Sequence, residues 1–313
     1  MTPQRVAWLW HPYIPRGKLT MLDGDPGQGK SWITVEVTSK LSTGKKLPGQ
    51  RKVGEPRRVL ILATEDDIAD TIKPRLMAQG ANLDNIRIYQ GGLLFDSIGA
   101  KRLNATIEEW KPDLIVIDPV VSYVGGKLDI NRANEVREIL DRLDLIAREH
   151  GCAVLIVRHT RKARSGSAMD AGMGSRDFGA KVRSGLIAGK DVEGMYVLAH
   201  YKHSTTQGGL SLGYEIVEAP DTFLGSRLRW VGAVSTQADD LVVAPVNESR
   251  GSKLDEAKAF LLRVLKDGPA PAKSISSAAY AEGITEVTLK RAKKDLGIIS
   301  EMDGDRWFWS MTE

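Results

Sequence analysis

Gly24-Asp25-Pro26-Gly27-Gln28-Gly29-Lys30-Ser31 decides how this chain is read. The octet is a complete phosphate-binding loop, and its flanks supply the required context. Lys18 to Leu22 reads as a short buried strand, and Trp32 to Val37 as the start of a helix. The glycines let backbone N–H groups close round a nucleotide's phosphates. The Lys30 ammonium meets the β and γ charge, and the Ser31 hydroxyl is a ligand for Mg2+. Gly24 through Ser31, with Trp32 after them, are therefore the candidate nucleotide-binding residues.

Moving outward, apolar runs alternate with helical spacing through the first 235 residues, the pattern of a mostly parallel sheet covered on both faces. Strands are predicted at 58–63, 86–89, 113–118 and 153–157, with amphipathic helices at 67–80, 100–110 and 134–150. Segments 195–199, 210–217 and 228–231 read as hairpin strands that finish the sheet. The fold class is α/β.

From 236 to 252 the periodicity fades and small or polar residues accumulate, which reads as a linker. Beyond it, 253–313 reads as a second domain. Helices are predicted at 254–265, 272–281 and 286–296, then strands 298–302 and 306–309 joined by Asp303-Gly304-Asp305, a good hairpin turn. Three helices and a hairpin suggest a winged helix-turn-helix. Lys290, Arg291, Lys293 and Lys294 on its third helix would face phosphates if it reads DNA. The same element could instead dock a protein, because the charges of this tail sum to about zero.

A composition of 42% apolar and 27% charged residues is that of an ordinary globular protein. No stretch approaches a membrane span, and no basic segment followed by an apolar run opens the chain, so an unexported cytoplasmic protein of a bacterial or phage-infected cell is expected. Cys152, the one cysteine, excludes a disulfide framework and reads as a buried inert thiol in an apolar strand. The net charge of +4 is unevenly spread. Residues 158–190 hold eight cations against Asp170 and Asp177, a local balance of +6, and such a basic segment suits phosphate or nucleic-acid contact.

Two carboxylates stand where nucleotide chemistry needs them. Asp118 closes the apolar run Leu114 to Ile117 and is placed to hold Mg2+ through its water shell. Glu65 follows another buried strand, and strand ends of an open parallel sheet converge on the ligand crevice, so it could act as general base on the attacking water. Asp66 and Asp67 read as helix N-terminal charges.

Taken together, Gly24 to Ser31, Thr64-Glu65-Asp66-Asp67, Asp118 and Val157-Arg158-His159-Thr160-Arg161-Lys162 resemble the RecA-like P-loop ATPases, in the branch of plasmid RepA hexameric helicases and phage AAA-family ATPases. The resemblance covers roughly residues 1–235. It implies ATP and Mg2+ as cofactors, Glu65 as catalytic base, and His159 as a γ-phosphate sensor that relays its state to DNA-binding loops. It further implies a loop after His159 whose Arg161, Lys162 and Arg164 touch single-stranded DNA, and a neighbouring subunit that supplies Lys202 or Arg183. Gly174 to Phe178 with Arg183-Ser184 is similar to RadA-type members, although the absence of paired cysteines argues against a zinc-bearing RadA as a whole-chain match. The expected function is a DNA-dependent ATPase in a homo-oligomer, with a hexameric ring favoured, acting as a helicase in phage or plasmid replication. A replication protein is a possible partner through the C-terminal domain, and no membrane is expected. Two alternatives are a filament-forming recombination or annealing ATPase and an ATP-switched DNA- or protein-binding regulator.

Overall fold

The computed structural model describes residues 5–89, 97–123, 133–160, 167–172, 177–223, 225–242, 257–266, 268–284, 286–303 and 306–311. The chain divides into two units, Met1–Val243 and Ala244–Glu313.

In the first unit, β1 (Trp8–Trp10) and β2 (Ile14–Pro15) make a short antiparallel pair. The main sheet is built from β3 (Leu19–Gly24), β4 (Val59–Ala63), β5 (Ile86–Tyr89), β6 (Leu114–Asp118), β7 (Ala153–His159), β8 (Ser184–Lys190), β9 (Tyr196–His203), β10 (Ser211–Ala219) and β11 (Gly225–Val234). These nine strands lie in the order β11-β10-β9-β8-β3-β7-β6-β4-β5. From β8 to β5 the pairing is parallel, while β9, β10 and β11 form an antiparallel meander at one side. The result is an α/β fold with a large, mixed, mostly parallel sheet.

Period-two alternation of apolar residues explains why both faces are buried. Leu22, Ile61, Val116 and Leu155 pack on the face covered by α1 (Lys30–Ser42) and α2 (Lys73–Ala78). Their neighbours Met21, Leu60, Ile115 and Ile156 pack on the opposite face under α3 (Ser97–Trp110) and α4 (Ala133–His150). A short α5 (Asp177–Lys181) precedes β8. Each fully buried aliphatic side chain contributes roughly 1.5–3 kcal/mol, so this two-sided core fixes the strand register and with it the positions of the strand ends.

Two stretches differ from the sequence reading. The helix expected at 67–80 is two elements, a π-helical turn Ile68–Ile72 followed by α2. Asp67 caps the turn by accepting from the Ala69 and Asp70 N–H groups at 2.7 and 3.1 Å. Pro74 has no N–H to give, so the wider hydrogen-bond spacing costs least here. Residues 238–242, inside the expected linker, fold onto the sheet instead. Ala238, Leu241 and Val242 recur at helical spacing and are buried in a cluster with Ile187, Val197 and Ala199. Residues 243–252 of that stretch lie outside the described residues.

The second unit contains a helix over 257–264 (α6), β12 (Ala270–Pro271), α7 (Ala272–Ala281), α8 (Glu286–Asp295), β13 (Ile299–Asp303) and β14 (Arg306–Ser310). The strands pair in the order β12-β14-β13, and Phe260, Leu261, Ile275, Leu289 and Trp309 make a core of its own. Residues 304 and 305 of the expected hairpin turn lie outside the described residues. Among those described, no helix is long and apolar enough to cross a membrane.

Candidate nucleotide site

The register sets the site. β3 and β7 run side by side so that Gly24 pairs with His159, and β4 and β6 so that Ala63 pairs with Asp118. The phosphate-loop start, Glu65, Asp118 and His159 thus emerge at one end of the sheet, where open parallel sheets bind ligands. Gly29 ends the loop in the left-handed region (φ 76°) as the N-cap of α1, with no side-chain cap on the helix. The first N–H groups of α1 are left for an anion. Gly24 is required for a different reason: a Cβ there would meet the Ala188 carbonyl oxygen at 2.5 Å. The Tyr214 hydroxyl, on β10, donates to the Gln28 carbonyl and holds the loop from its other side.

Lys30 is buried, and its ammonium donates to the carbonyls of Gly24 and Asp25, both at 2.8 Å. Its third neighbour is His159 Nδ1 at 3.2 Å. An ammonium only donates, so Nδ1 is the bare nitrogen of a neutral ring and the proton sits on Nε2. Burial lowers the His159 pKa, and the Lys30 charge lowers it further against an opposing pull from Glu65. Thr160, one residue on, donates its hydroxyl to the Asp25 carboxylate and its N–H to the Gly24 carbonyl. The end of β7 is therefore tied to the phosphate loop at two successive residues.

Ser31 donates to Asp118 Oδ2 at 3.0 Å. Burial pushes the Asp118 pKa up to about 6, against the lowering effects of the Ser31 hydroxyl and Lys30. The hydroxyl and carboxylate supply two hard oxygens in contact, and the described residues hold no cluster of three or more His, Cys, Asp or Glu side chains that could cage a metal alone. That donor set suits Mg2+, which keeps several waters and takes its remaining ligands from phosphates. Glu65 is exposed and lines a cleft of about 80 Å³ with Ser31, Thr34, Asp66, Arg75 and Asp118. Asp66 pairs with Arg75 at 2.7 Å, a role that the helix-charge reading misses.

The family model described as an AAA domain matches residues 1–165, more than half of the chain. The chain belongs to the AAA domain family. Among curated relatives, the DNA repair protein RadA of Bacillus subtilis is 26% identical over 156 residues, which are 49% of this chain and 30% of that protein. RadA of Aquifex aeolicus is 24% identical over 154 residues, covering 49% and 30%. RadA of Listeria monocytogenes is 28% identical over 150 residues, covering 47% and 28%. The match thus spans under a third of the length of these relatives. A solved structure, the KaiC-like protein PH0186 of Pyrococcus horikoshii, superposes with a TM-score of 0.50 at 15% identity, over 72% of this chain and all of that one, which is a likeness of fold. The AAA domain match, the fold and the loop make this a RecA-like P-loop ATPase.

The remaining sequence candidates scatter. Within the AAA domain, Trp32 is half-buried and packs against the core, with the Arg75 guanidinium 5.2 Å from its ring centroid. Lys202 and Arg183 stand at the other end of the sheet: Lys202 pairs with Gly185, and the Arg183 N–H donates to Leu19 at the beginning of β3. Lys202 Nζ donates to the carbonyls of Gly179 and Ala180, at 2.6 and 2.9 Å, closing the end of α5. Arg161, Lys162, Arg164 and the Arg291 side chain lie outside the described residues. Lys290 and Lys294 are exposed on α8, whereas Lys293 is turned onto its own unit, donating to Ser300 and lying 4.4 Å from the Trp309 ring centroid. Cys152 is buried, which raises its thiol to about 11 and keeps it protonated.

Sequence reasoning missed a buried ion pair directly beneath the site. Asp23 and Arg158 are register partners, joined at 2.7 and 3.0 Å, and Tyr201 donates to the same carboxylate at 2.7 Å. The signal was available: a carboxylate and a guanidinium one residue before Gly24 and His159, each inside an apolar strand, need each other.

Proposed function

We propose that this chain is a DNA-stimulated ATPase that works as a ring of copies on single-stranded DNA, a helicase-like motor of phage or plasmid replication in the cytoplasm of the host cell. The observation that carries this reading is the contact between Lys30 and His159 at 3.2 Å. It joins the residue that meets the phosphates to the end of β7, and the basic stretch with Arg161, Lys162 and Arg164 follows directly. Occupancy of the phosphate loop and the state of a DNA-touching segment then share one structural element.

In this reading the α1 N–H groups and Lys30 bind the phosphates of ATP, and Glu65 takes a proton from the water that attacks the γ-phosphorus in line. The bond to the β–γ bridging oxygen breaks, leaving ADP and phosphate. Ser31, and Asp118 through water, would hold Mg2+, which would neutralise phosphate charge. Arg183 and Lys202 lie the length of β3 from their own phosphate loop, roughly 15–20 Å at the rise of a strand. That distance supports action on a neighbour's nucleotide, for which Lys202 must leave the α5 carbonyls. The second unit serves as a winged helix that contacts DNA or a replication protein, with Lys290 and Lys294 on its presenting face.

A second reading is a recombination or annealing ATPase that forms filaments; the similarity to RadA, a DNA repair protein, favours a role of that kind. A third, an ATP-switched regulator, would show no stimulation by single strands. Turnover with and without single-stranded DNA, followed by strand displacement, tests the first reading: stimulation with displacement is expected, and stimulation without displacement in a filamentous assembly favours the second. Mixing Lys202→Ala with Glu65→Gln protein should restore partial turnover at mixed interfaces, and no recovery would remove Lys202 from the site.

A further inference from the structure

The connection from α1 to β4, residues 43–58, is a second basic feature of this chain. Lys45, Lys46, Arg51, Lys52, Arg57 and Arg58 stand there against Glu55 alone, a balance of +5. Its position follows from the sheet register. Val59 pairs with Leu114 and Ile86, and Leu114 with Ala153, so the loop sits where the parallel strands begin, at the end opposite the nucleotide site. Lys18, Lys111 and Arg183 precede β3, β6 and β8 at this same end, where Asp84, Asp113 and Glu149 also stand, so the excess of positive charge is on the 43–58 loop itself. At the other end stand Glu65, Asp66, Asp67 and Asp118.

Three observations separate this face from an ordinary solvated one. The loop is pinned: Trp10 Nε1 donates to Pro48 at 2.8 Å, Gln50 Nε2 to Leu9 at 2.9 Å, Gly54 to Gly44 at 2.9 Å, and Leu47 is buried. Arg16 and Arg57 share the Asp113 carboxylate, but among the described residues Lys45, Lys46, Arg51 and Lys52 have no acidic partner within salt-bridge distance, and all four are exposed. The face is also poor in large apolar groups, with Val53 the exposed one on the loop. Interfaces between proteins are depleted of lysine and built round aromatic anchors, whereas nucleic-acid interfaces are polar and strongly positive.

We propose that this basal face, centred on Lys45, Lys46, Arg51 and Lys52, binds the phosphodiester backbone of DNA. It lies at the end of the sheet opposite the end of β7 and supplies affinity, while the stretch that follows β7 in sequence couples binding to hydrolysis. The proposal rests on the reading of the chain as a DNA-acting ATPase for the identity of its partner.

The test is a full-length variant carrying Lys45→Ala, Lys46→Ala, Arg51→Ala and Lys52→Ala, with a charge-reversed set as a second variant. Anisotropy of a labelled single strand and of a labelled duplex, each about 40 nucleotides per strand, is read across a salt series. Each lost phosphate contact lowers the slope of log affinity on log salt by about 0.7 for a single strand and about 0.9 for a duplex. The variant is expected to lose up to about 3 in slope and about tenfold or more in affinity near 100 mM salt, with a larger loss for the reversed set. Its binding of a fluorescent ATP analogue and its maximal DNA-stimulated turnover at saturating DNA should match wild type. Unchanged affinity and slope in both variants would overturn the proposal, as would unchanged DNA binding with a lost sedimentation peak, which would assign the face to a second copy of the chain. A wild-type protein that binds no DNA would overturn the functional reading as well, an outcome distinct from either of these.

Discussion

Lys30 Nζ lies 3.2 Å from His159 Nδ1 while donating to the Gly24 and Asp25 carbonyls at 2.8 Å, so all three of its donor positions are engaged inside the protein. An entering phosphate must exchange for some of these partners. In the proposed reading, release of His159 carries nucleotide occupancy to the end of β7. The Lys30 pKa is lowered mainly by burial, and Asp118, Asp23 and Glu65 raise it in return, which keeps a cation at the centre of an acidic site.

Lys30→Ala should abolish ATP binding, measured with a fluorescent nucleotide by titration. The α1 N–H groups would remain, but the charge that meets the β and γ phosphates would be gone. Binding within threefold of wild type would remove Lys30 from the phosphate site.

Glu65→Gln should retain ATP affinity and lose at least about a hundredfold in turnover, in the range typical of a removed general base. The amide keeps the size of the carboxylate and cannot take the proton. Equilibrium binding and single-turnover hydrolysis check the two halves separately, and unimpaired hydrolysis would refute the assignment.

Mg2+-dependent nucleotide affinity should fall on acidification through about pH 6. Burial raises the Asp118 carboxyl to about 6, and the metal needs its ionised form, so protonation competes below that value. At pH 5 the affinity should be about tenfold below that at pH 7, since roughly one site in ten is then ionised. Titration of Mg2+ at the two pH values measures it, and Asp118→Asn should flatten the difference.

Glu36, on α1, is buried, with Lys40 at 3.7 Å, and its pKa is raised to about 7, chiefly by desolvation. An acid with a raised folded pKa loses stability as pH climbs. The unfolded chain ionises from about 4.5, while the folded one holds its proton until about 7. Glu36→Gln should therefore be more stable than wild type by roughly 1–3 kcal/mol at pH 8 and close to it at pH 5. Denaturant melts at both pH values decide it, and equal differences would contradict the linkage.

The Asp23–Arg158 pair should be intolerant of single changes. Both side chains are buried, so Arg158→Ala leaves an unpaired carboxylate beside Tyr201 and should cost about 3–5 kcal/mol, whereas Asp23→Leu with Arg158→Met should recover much of it. Thermal unfolding of the single and double variants measures the coupling.

The strands of the parallel sheet and the phosphate loop were legible because their signals are local: unbroken apolar runs, and one octet with its flanking elements. Asp118 was legible for the same reason, as a carboxylate that ends such a run. Register was not legible, and most of what the structure adds depends on it. Only the alignment of β3 with β7 brings His159 to Lys30 and Arg158 to Asp23, across more than a hundred residues of sequence. Charge counting along the chain singles out 158–190, but the 43–58 loop gains meaning only when the register places it at the start of β4, at the end of the sheet opposite the nucleotide site. Residues 238–242 read as linker because a single apolar turn is too short to register as periodicity, yet it suffices to cover Ile187 and Val197.

The central claim, that the Lys30–His159 contact links hydrolysis to DNA, is tested most directly by steady-state ATP turnover of wild type and His159→Ala with and without single-stranded DNA. The account predicts that wild type is stimulated at least about tenfold, and that the variant binds ATP normally, retains its basal rate and loses the stimulation. Stimulation of the variant equal to that of wild type would contradict it.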